Sequence, residues 1–234
     1  MKGHEAILRQ FLANDLDHMF GNPGTVEQGF LDALADVPEM KYILTLQESI
    51  AVLCADGYAR ARLKPALVQI HSSPGLGNAI GNLYQAMRGQ APLVVIGGDA
   101  GIKYQAMDAQ MAADLVAMAE PVTKWSAMVQ HPSSLLRMVR RAIKIASTPP
   151  CGPVYLCLPE DILDAEVTED VKRKAKGAAL SDHSACDAIE DTKMPKMNGV
   201  AGSHDDEWYQ WLRKKVYERA EGLSRYPDMI ADTI

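Results

Sequence analysis

Three short runs hold the side chains best suited to chemistry: Gly21-Asn22-Pro23-Gly24-Thr25, Thr45-Leu46-Gln47-Glu48 and His71-Ser72-Ser73-Pro74-Gly75-Leu76-Gly77-Asn78. Each follows a short apolar run and precedes a stretch with helical spacing, so each reads as a strand-to-helix turn. In a parallel sheet such turns lie at the carboxyl ends of the strands, where ligands collect. A carboxylate at Glu48 could share a proton with a ligand, and an imidazole at His71 could act as acid or base near neutral pH. Gly21 and Gly24 permit close backbone approach, and Thr25 offers a hydroxyl that could also cap the next helix. Plainer readings compete. Thr45-Leu46-Gln47-Glu48 fits a capping box in which Glu48 returns to the Thr45 N–H. Asn22-Pro23-Gly24 is an ordinary turn sequence, and His71 also reads as a buried ring satisfied by backbone.

The surrounding pattern supplies elements to position these turns. Helical spacing is predicted over 4–14, 26–36, 48–62, 76–88, 110–119 and 132–147. Between them lie apolar runs at 18–20, 41–44, 66–70, 92–96, 122–125 and 153–158. Strands alternating with helices imply right-handed βαβ units. The expected fold is α/β, a doubly wound parallel sheet of about six strands with helices on both faces. Pro38, Pro65, Pro92, Pro132 and Pro149-Pro150 fall between elements, where the missing N–H does least harm. The pattern stops near Val167. A domain over 1–167, a polar linker over 168–202 and a C-terminal amphipathic helix or tail over 203–234 are expected, with Trp208, Trp211, Val216, Ala220 and Leu223 on one stripe.

Composition narrows the function classes. A net charge of −6 argues against nucleic acid, whose binding needs Lys and Arg to neutralise phosphates. No apolar run approaches the roughly 20 residues of a membrane span, and the N-terminal stretch lacks the apolar core of a signal peptide. The four cysteines form no CxxC pair, and Cys54 is expected as a buried free thiol. A cytoplasmic setting without a metal site is therefore expected. Gly75-Leu76-Gly77-Asn78-Ala79-Ile80 fails as a dinucleotide fingerprint because Ile80 stands where the third glycine is needed. Neither GxxxxGK[ST] nor GxSxG occurs.

Six segments, in order, resemble the N-terminal pyrimidine-binding domain of thiamine-diphosphate-dependent enzymes, in particular benzoylformate decarboxylase and acetolactate-synthase-like 2-keto-acid enzymes. They are Phe20–Thr25, Tyr42–Glu48, Ala55–Arg60, His71–Asn78, Ala91–Gly98 and Gly152–Leu156. The resemblance covers residues 3–165. It implies that Glu48 hydrogen-bonds N1′ of the cofactor's aminopyrimidine and so promotes loss of the thiazolium C2 proton. It implies that His71 is an acid/base near the substrate, that Thr25 binds substrate, and that Pro23, Gly24 and Asn78 line the cofactor. Asp99 departs from the glutamine common after this strand. The family's Gly-Asp-Gly…Asn-Asn segment, which holds Mg²⁺ and diphosphate, is not found; no asparagine lies between Asn82 and Asn198. The resemblance therefore implies a pyrimidine-binding half, either a separate subunit or a truncated piece. Mg²⁺ is expected on a partner chain, in a homodimer or in a hetero-oligomer with a diphosphate-binding subunit. The expected substrate is a small 2-keto acid. A non-catalytic binding or assembly module that keeps the fold is the rival expectation.

Overall fold

The computed structural model describes residues 1–168, 170 and 171. The expected tail helix, and the expected linker apart from residues 168, 170 and 171, lie outside the described residues. Six strands form one sheet: β1 (His18–Gly21), β2 (Lys41–Leu44), β3 (Ala66–His71), β4 (Leu93–Asp99), β5 (Trp125–Met128) and β6 (Val154–Pro159). Their order is β2-β1-β3-β4-β6-β5, and every pairing is parallel. β4 and β6 are buried along their whole length, as continuous apolar runs must be when helices cover both faces.

Side chains alternate across the sheet and divide the core in two. Leu67, Val94, Ile96 and Leu156 point to one face, with Phe11, Phe30 and Val139. That face is covered by α1 (Gly3–Leu12), α2 (Gln28–Ala35), α6 (Leu135–Ser147) and the short α7 (Glu160–Asp164). Val68, Ile70, Val95, Tyr155 and Cys157 point to the other face, with Leu76, Leu83 and Leu115. There lie α3 (Glu48–Arg62), α4 (Ser72–Arg88) and α5 (Leu115–Ala119). In α6 the buried residues Leu135, Leu136, Val139, Ala142, Ile143 and Ala146 recur at helical spacing. α3 buries mainly small residues, Ala51, Val52, Ala55 and Ala59, which lets it pack closely against α4.

One consequence of this order places the site. β1 and β3 are neighbours, yet α2 leaves β1 on one face and α4 leaves β3 on the other. The connections diverge and open a crevice above the carboxyl ends of these two strands.

The structure corrects several expectations in detail. The helix expected over 110–119 begins only at Leu115, because the Asp114 side chain caps it by accepting the Ala117 N–H at 2.9 Å. The strand expected at 122–125 forms at Trp125–Met128, because Glu120–Val122 continue α5 as a 3₁₀ turn with Pro121 in its first positions. α4 starts at Ser72 rather than residue 76, and α7 was not foreseen. Cys54 is exposed: the helical period that turns Ala51, Val52 and Ala55 inward turns residues 53 and 54 outward. Among the described residues no helix is long and apolar enough to cross a membrane.

Two glycines give opposite stability outcomes. A Cβ on Gly97 in β4 would lie 2.3 Å from the hydroxyl of the fully buried Tyr155, whereas one on Gly57 in α3 would meet nothing within 4 Å. Gly97→Ala is expected to destabilise by about 1–3 kcal/mol through overpacking. Gly57→Ala is expected to stabilise by about 0.5–1 kcal/mol. Urea midpoints at unchanged slope check both.

Candidate functional site

At the end of β2 the Thr45 N–H donates to Gly21 O at 2.8 Å, extending the pairing with β1 by one step. The expected capping box does not form, because this bond takes the donor that Glu48 would need. Gln47 takes the cap position instead, in extended backbone, with no side-chain cap. Glu48 opens α3 and is 6% exposed. Its Oε2 accepts from Asn78 Nδ2 at 3.0 Å, while Oε1 takes no hydrogen bond among the described residues. A Cβ on Gly75 would sit 3.0 Å from Oε1, so bare backbone at Gly75 makes room for the carboxylate. Ser49 Oγ donates to Asn78 O at 2.6 Å and Asn82 Nδ2 to Ser49 O at 3.0 Å, which locks the start of α3 against α4.

A second cluster fills the crevice between β1 and β3. After β1, the Asn22 N–H donates to Gln69 O at 3.3 Å and lays Pro23 and Gly24 beside the end of β3. A 3₁₀ turn follows over Thr25–Glu27, with Gly24 as its cap. Thr25 does not cap it; the Thr25 side chain is exposed, and Glu27 closes the turn by accepting the Gly24 N–H at Oε2, 2.8 Å away. The same Oε2 lies 2.8 Å from His71 Nδ1. His71 is therefore held by a carboxylate and not by backbone alone. Glu27 is 3% exposed, and its buried Oε1 has no hydrogen-bond partner among the described residues. Burial pushes its carboxyl above the usual carboxylate range, and the Gly24 N–H, His71 and, least, the Gly98 N–H oppose that shift.

Close packing enforces this arrangement. A Cβ on Gly24 would come within 2.4 Å of the His71 ring, and one on Gly98 within 2.1 Å of Glu27 Oε1. Ser72, directly after His71, has φ 41°, a left-handed conformation that strains any residue with a side chain. Its hydroxyl donates to Gly98 O at 3.2 Å, so β4 helps hold the bend that aims His71.

Asp99, where the family pattern is broken, does not join either cluster. It is 2% exposed and faces the α4 side of the core, its Oδ1 accepting the Ala100 N–H and its Oδ2 lying 3.9 Å from Cys157 Sγ. Burial raises both its carboxyl and the Cys157 thiol. Beneath the crevice the Tyr42 hydroxyl donates to Gln69 Oε1, and burial raises the Tyr42 hydroxyl as well. Among the described residues no group of three or more His, Cys, Asp or Glu could hold a metal ion.

The structure thus places the six residues singled out from the sequence in two groups that share the start of α4. Glu48 and Asn78 touch; Gly24 and His71 touch; Pro23 and Thr25 flank the second pair in the loop. Sequence reasoning missed Glu27. Its signal was the three-residue spacing from Gly24, which is capping-box spacing with glycine in place of the usual hydroxyl residue. Beside Glu48 the surface is apolar: Leu44, Leu46, Ile50 and Leu53 are all exposed, Leu46 by 92%.

The family model described as thiamine pyrophosphate enzyme, N-terminal TPP binding domain, matches residues 1–118. The acetolactate synthase large subunit of Buchnera aphidicola subsp. Schizaphis graminum is 34% identical over 163 residues, covering 70% of this chain and 28% of that protein. Benzoylformate decarboxylase of Pseudomonas aeruginosa is 36% identical over 183 residues, covering 76% of this chain and 34% of that protein. Among solved structures, the thiamine diphosphate-dependent 4-hydroxybenzoylformate decarboxylase of Rhodococcus jostii RHA1 superposes with a TM-score of 0.71 at 31% identity. That match covers 81% of this chain and 37% of the neighbour's. The chain spans about a third or less of the length of the curated relatives it matches.

Asp99 yields a pH prediction. Because its carboxyl is raised by burial, the folded state holds the proton at pH values where the unfolded chain releases it. Its contribution to stability is full below the ordinary aspartate value of about 3.9 and is lost as pH rises through the folded value. Asp99→Asn escapes that loss. The difference in Tm between Asp99→Asn and the parent chain is expected to grow in the variant's favour as pH rises above about 4. A difference that stays flat, or shrinks, contradicts the assignment.

Proposed function

We propose, since this chain belongs to the thiamine pyrophosphate enzyme family through its N-terminal TPP binding domain, that residues 1–167 supply the pyrimidine side of the cofactor site of a 2-keto-acid decarboxylase or acetolactate-synthase-like enzyme. The carrying observation is Glu48: a buried carboxylate at a strand's carboxyl end with one oxygen held by Asn78 and the other without a hydrogen bond among the described residues. A flat aminopyrimidine with a basic ring nitrogen fits such a group, and the missing side chain at Gly75 leaves bare backbone beside it. Bound thiamine diphosphate supplies an electron sink for loss of CO₂ from a 2-keto acid.

The chain's own residues have distinct tasks in this reading. Glu48 shares a proton with the pyrimidine N1′, and Asn78 fixes the orientation of the carboxylate that does so. Pro23 and Gly24 form the loop edge against the cofactor. His71 gives or takes a proton near the substrate, and Thr25 presents an exposed hydroxyl to it. The diphosphate and Mg²⁺ are held by a diphosphate-binding part, supplied by a longer form of this chain in a homodimer or by a separate subunit. Exposed Leu44, Leu46, Ile50 and Leu53 beside Glu48 support contact with such a part, because an apolar patch of this kind suits a buried interface.

Calorimetry with thiamine diphosphate and Mg²⁺ tests the reading, using this chain with and without a diphosphate-binding partner. Heat is expected in the mixture. Glu48→Gln is expected to lower the turnover of the mixture by about 100-fold or more, in line with loss of acid–base assistance. Near-parental turnover in Glu48→Gln removes Glu48 from this role, and no heat in any mixture favours a non-catalytic module.

A further inference from the structure

Two hydrogen-bond donors meet one oxygen in the crevice between β1 and β3, and one of the two has no choice of role. The Gly24 peptide N–H can only donate, and it points at Glu27 Oε2 from 2.8 Å. Oε2 is therefore an acceptor, and His71 Nδ1 lies 2.8 Å from that same atom. If Glu27 is ionised, Oε2 accepts from both nitrogens. If Glu27 is protonated on Oε1, Oε2 is the carbonyl oxygen and again accepts from both. With Glu27 ionised, or protonated on Oε1, the ring proton belongs on Nδ1; only a proton on Oε2 itself, donated to Nδ1, gives the opposite tautomer.

We propose that Glu27 is a positioning residue that fixes His71 in the Nδ1–H tautomer, leaving Nε2 as the nitrogen that exchanges protons at the mouth of the crevice. Nε2 takes no partner among the described residues, and the His71 side chain keeps 17% of its surface exposed, so the unprotonated nitrogen is the accessible one. The lock is built from four elements. The loop after β1 brings the Gly24 N–H, and the 3₁₀ turn brings Glu27. The bend at Ser72, bonded to Gly98 O, aims the ring, and the bare backbone of Gly24 and Gly98 admits both side chains. The orientation of a histidine by a buried carboxylate on its second nitrogen is a general way to set which nitrogen reacts. The tautomer stands independently of the reading given above. Only its catalytic consequence rests on His71 acting as acid or base.

Ring-nitrogen NMR of the full chain, labelled at its six histidines, tests the tautomer without cofactor or partner. His71→Asn assigns the signal by its disappearance. At mildly alkaline pH the His71 ring is expected to show a protonated Nδ1 and an unprotonated Nε2. Glu27→Met removes the acceptor and is expected to return the ring toward the Nε2–H form, while Glu27→Gln, which keeps a carbonyl oxygen, retains Nδ1–H. A protonated Nε2 with a bare Nδ1 in the parent chain overturns the proposal, and this measurement needs no variant of Glu27 to fold. In the partnered enzyme Glu27→Met is expected to lower kcat by about 10-fold or more with a smaller change in KM, and Glu27→Gln to recover part of it. A switched tautomer with unchanged kcat and KM overturns the positioning role, whereas the cofactor heat lost or kept in Glu48→Gln judges the cofactor site separately.

Discussion

Where β1 and β2 end, the Thr45 N–H reaches Gly21 O across 2.8 Å, and the fate of the nearby carboxylate turns on that bond. A helix that starts within three residues of a threonine would ordinarily recruit a glutamate to close its first turn. Here the donor is already used by the sheet, so Glu48 is left to find a partner on another helix. It finds Asn78 on α4, across 30 residues of sequence. The small residues of α3 and the bonds from Ser49 and Asn82 bring the two helices near enough for that contact. One sheet hydrogen bond thus separates a structural glutamate from one whose second oxygen takes no hydrogen bond among the described residues.

The crevice between β1 and β3 solves a different problem. A carboxylate as buried as Glu27 is costly unless donors face it; the Gly24 N–H and the imidazole do so at hydrogen-bond distance, and the Gly98 N–H adds a weaker contribution. Asp99, equally buried, has one peptide N–H, the Gln105 side chain and a thiol beside it, and burial raises its carboxyl as it raises that of Glu27. What separates the two is the imidazole: Glu27 meets His71 at the crevice, whereas Asp99 meets no histidine among the described residues and lies against Cys157 in the core. Glycines at 24, 75 and 98 are needed because in each case a Cβ would press on a functional side chain.

Much of this was legible in the chain. The alternation of apolar runs with helical spacing read directly as a parallel α/β sheet, since strands covered on both faces must be continuously apolar. The three turns were found because Gly, Pro, Asn and hydroxyl residues punctuate such boundaries. Errors fell where a local competitor was overlooked: Asp114 capping α5 late, Pro121 holding a 3₁₀ turn, and the outward turn of Cys54 within a helix whose buried face is alanine-rich. Glu27 escaped notice because its capping partner is glycine, which has no side chain to complete the usual pattern.

The amino-acid order by itself determined which residues would stand at strand ends, because hydrophobic period and turn chemistry act over a few neighbours. It also carried the family likeness. Which of those ends would meet was decided only by the tertiary structure. Glu27 and His71 are 44 residues apart and touch because β1 and β3 pair while their following helices leave on opposite faces. Contacts of that range depend on strand order and crossover direction, and no local spacing encodes either.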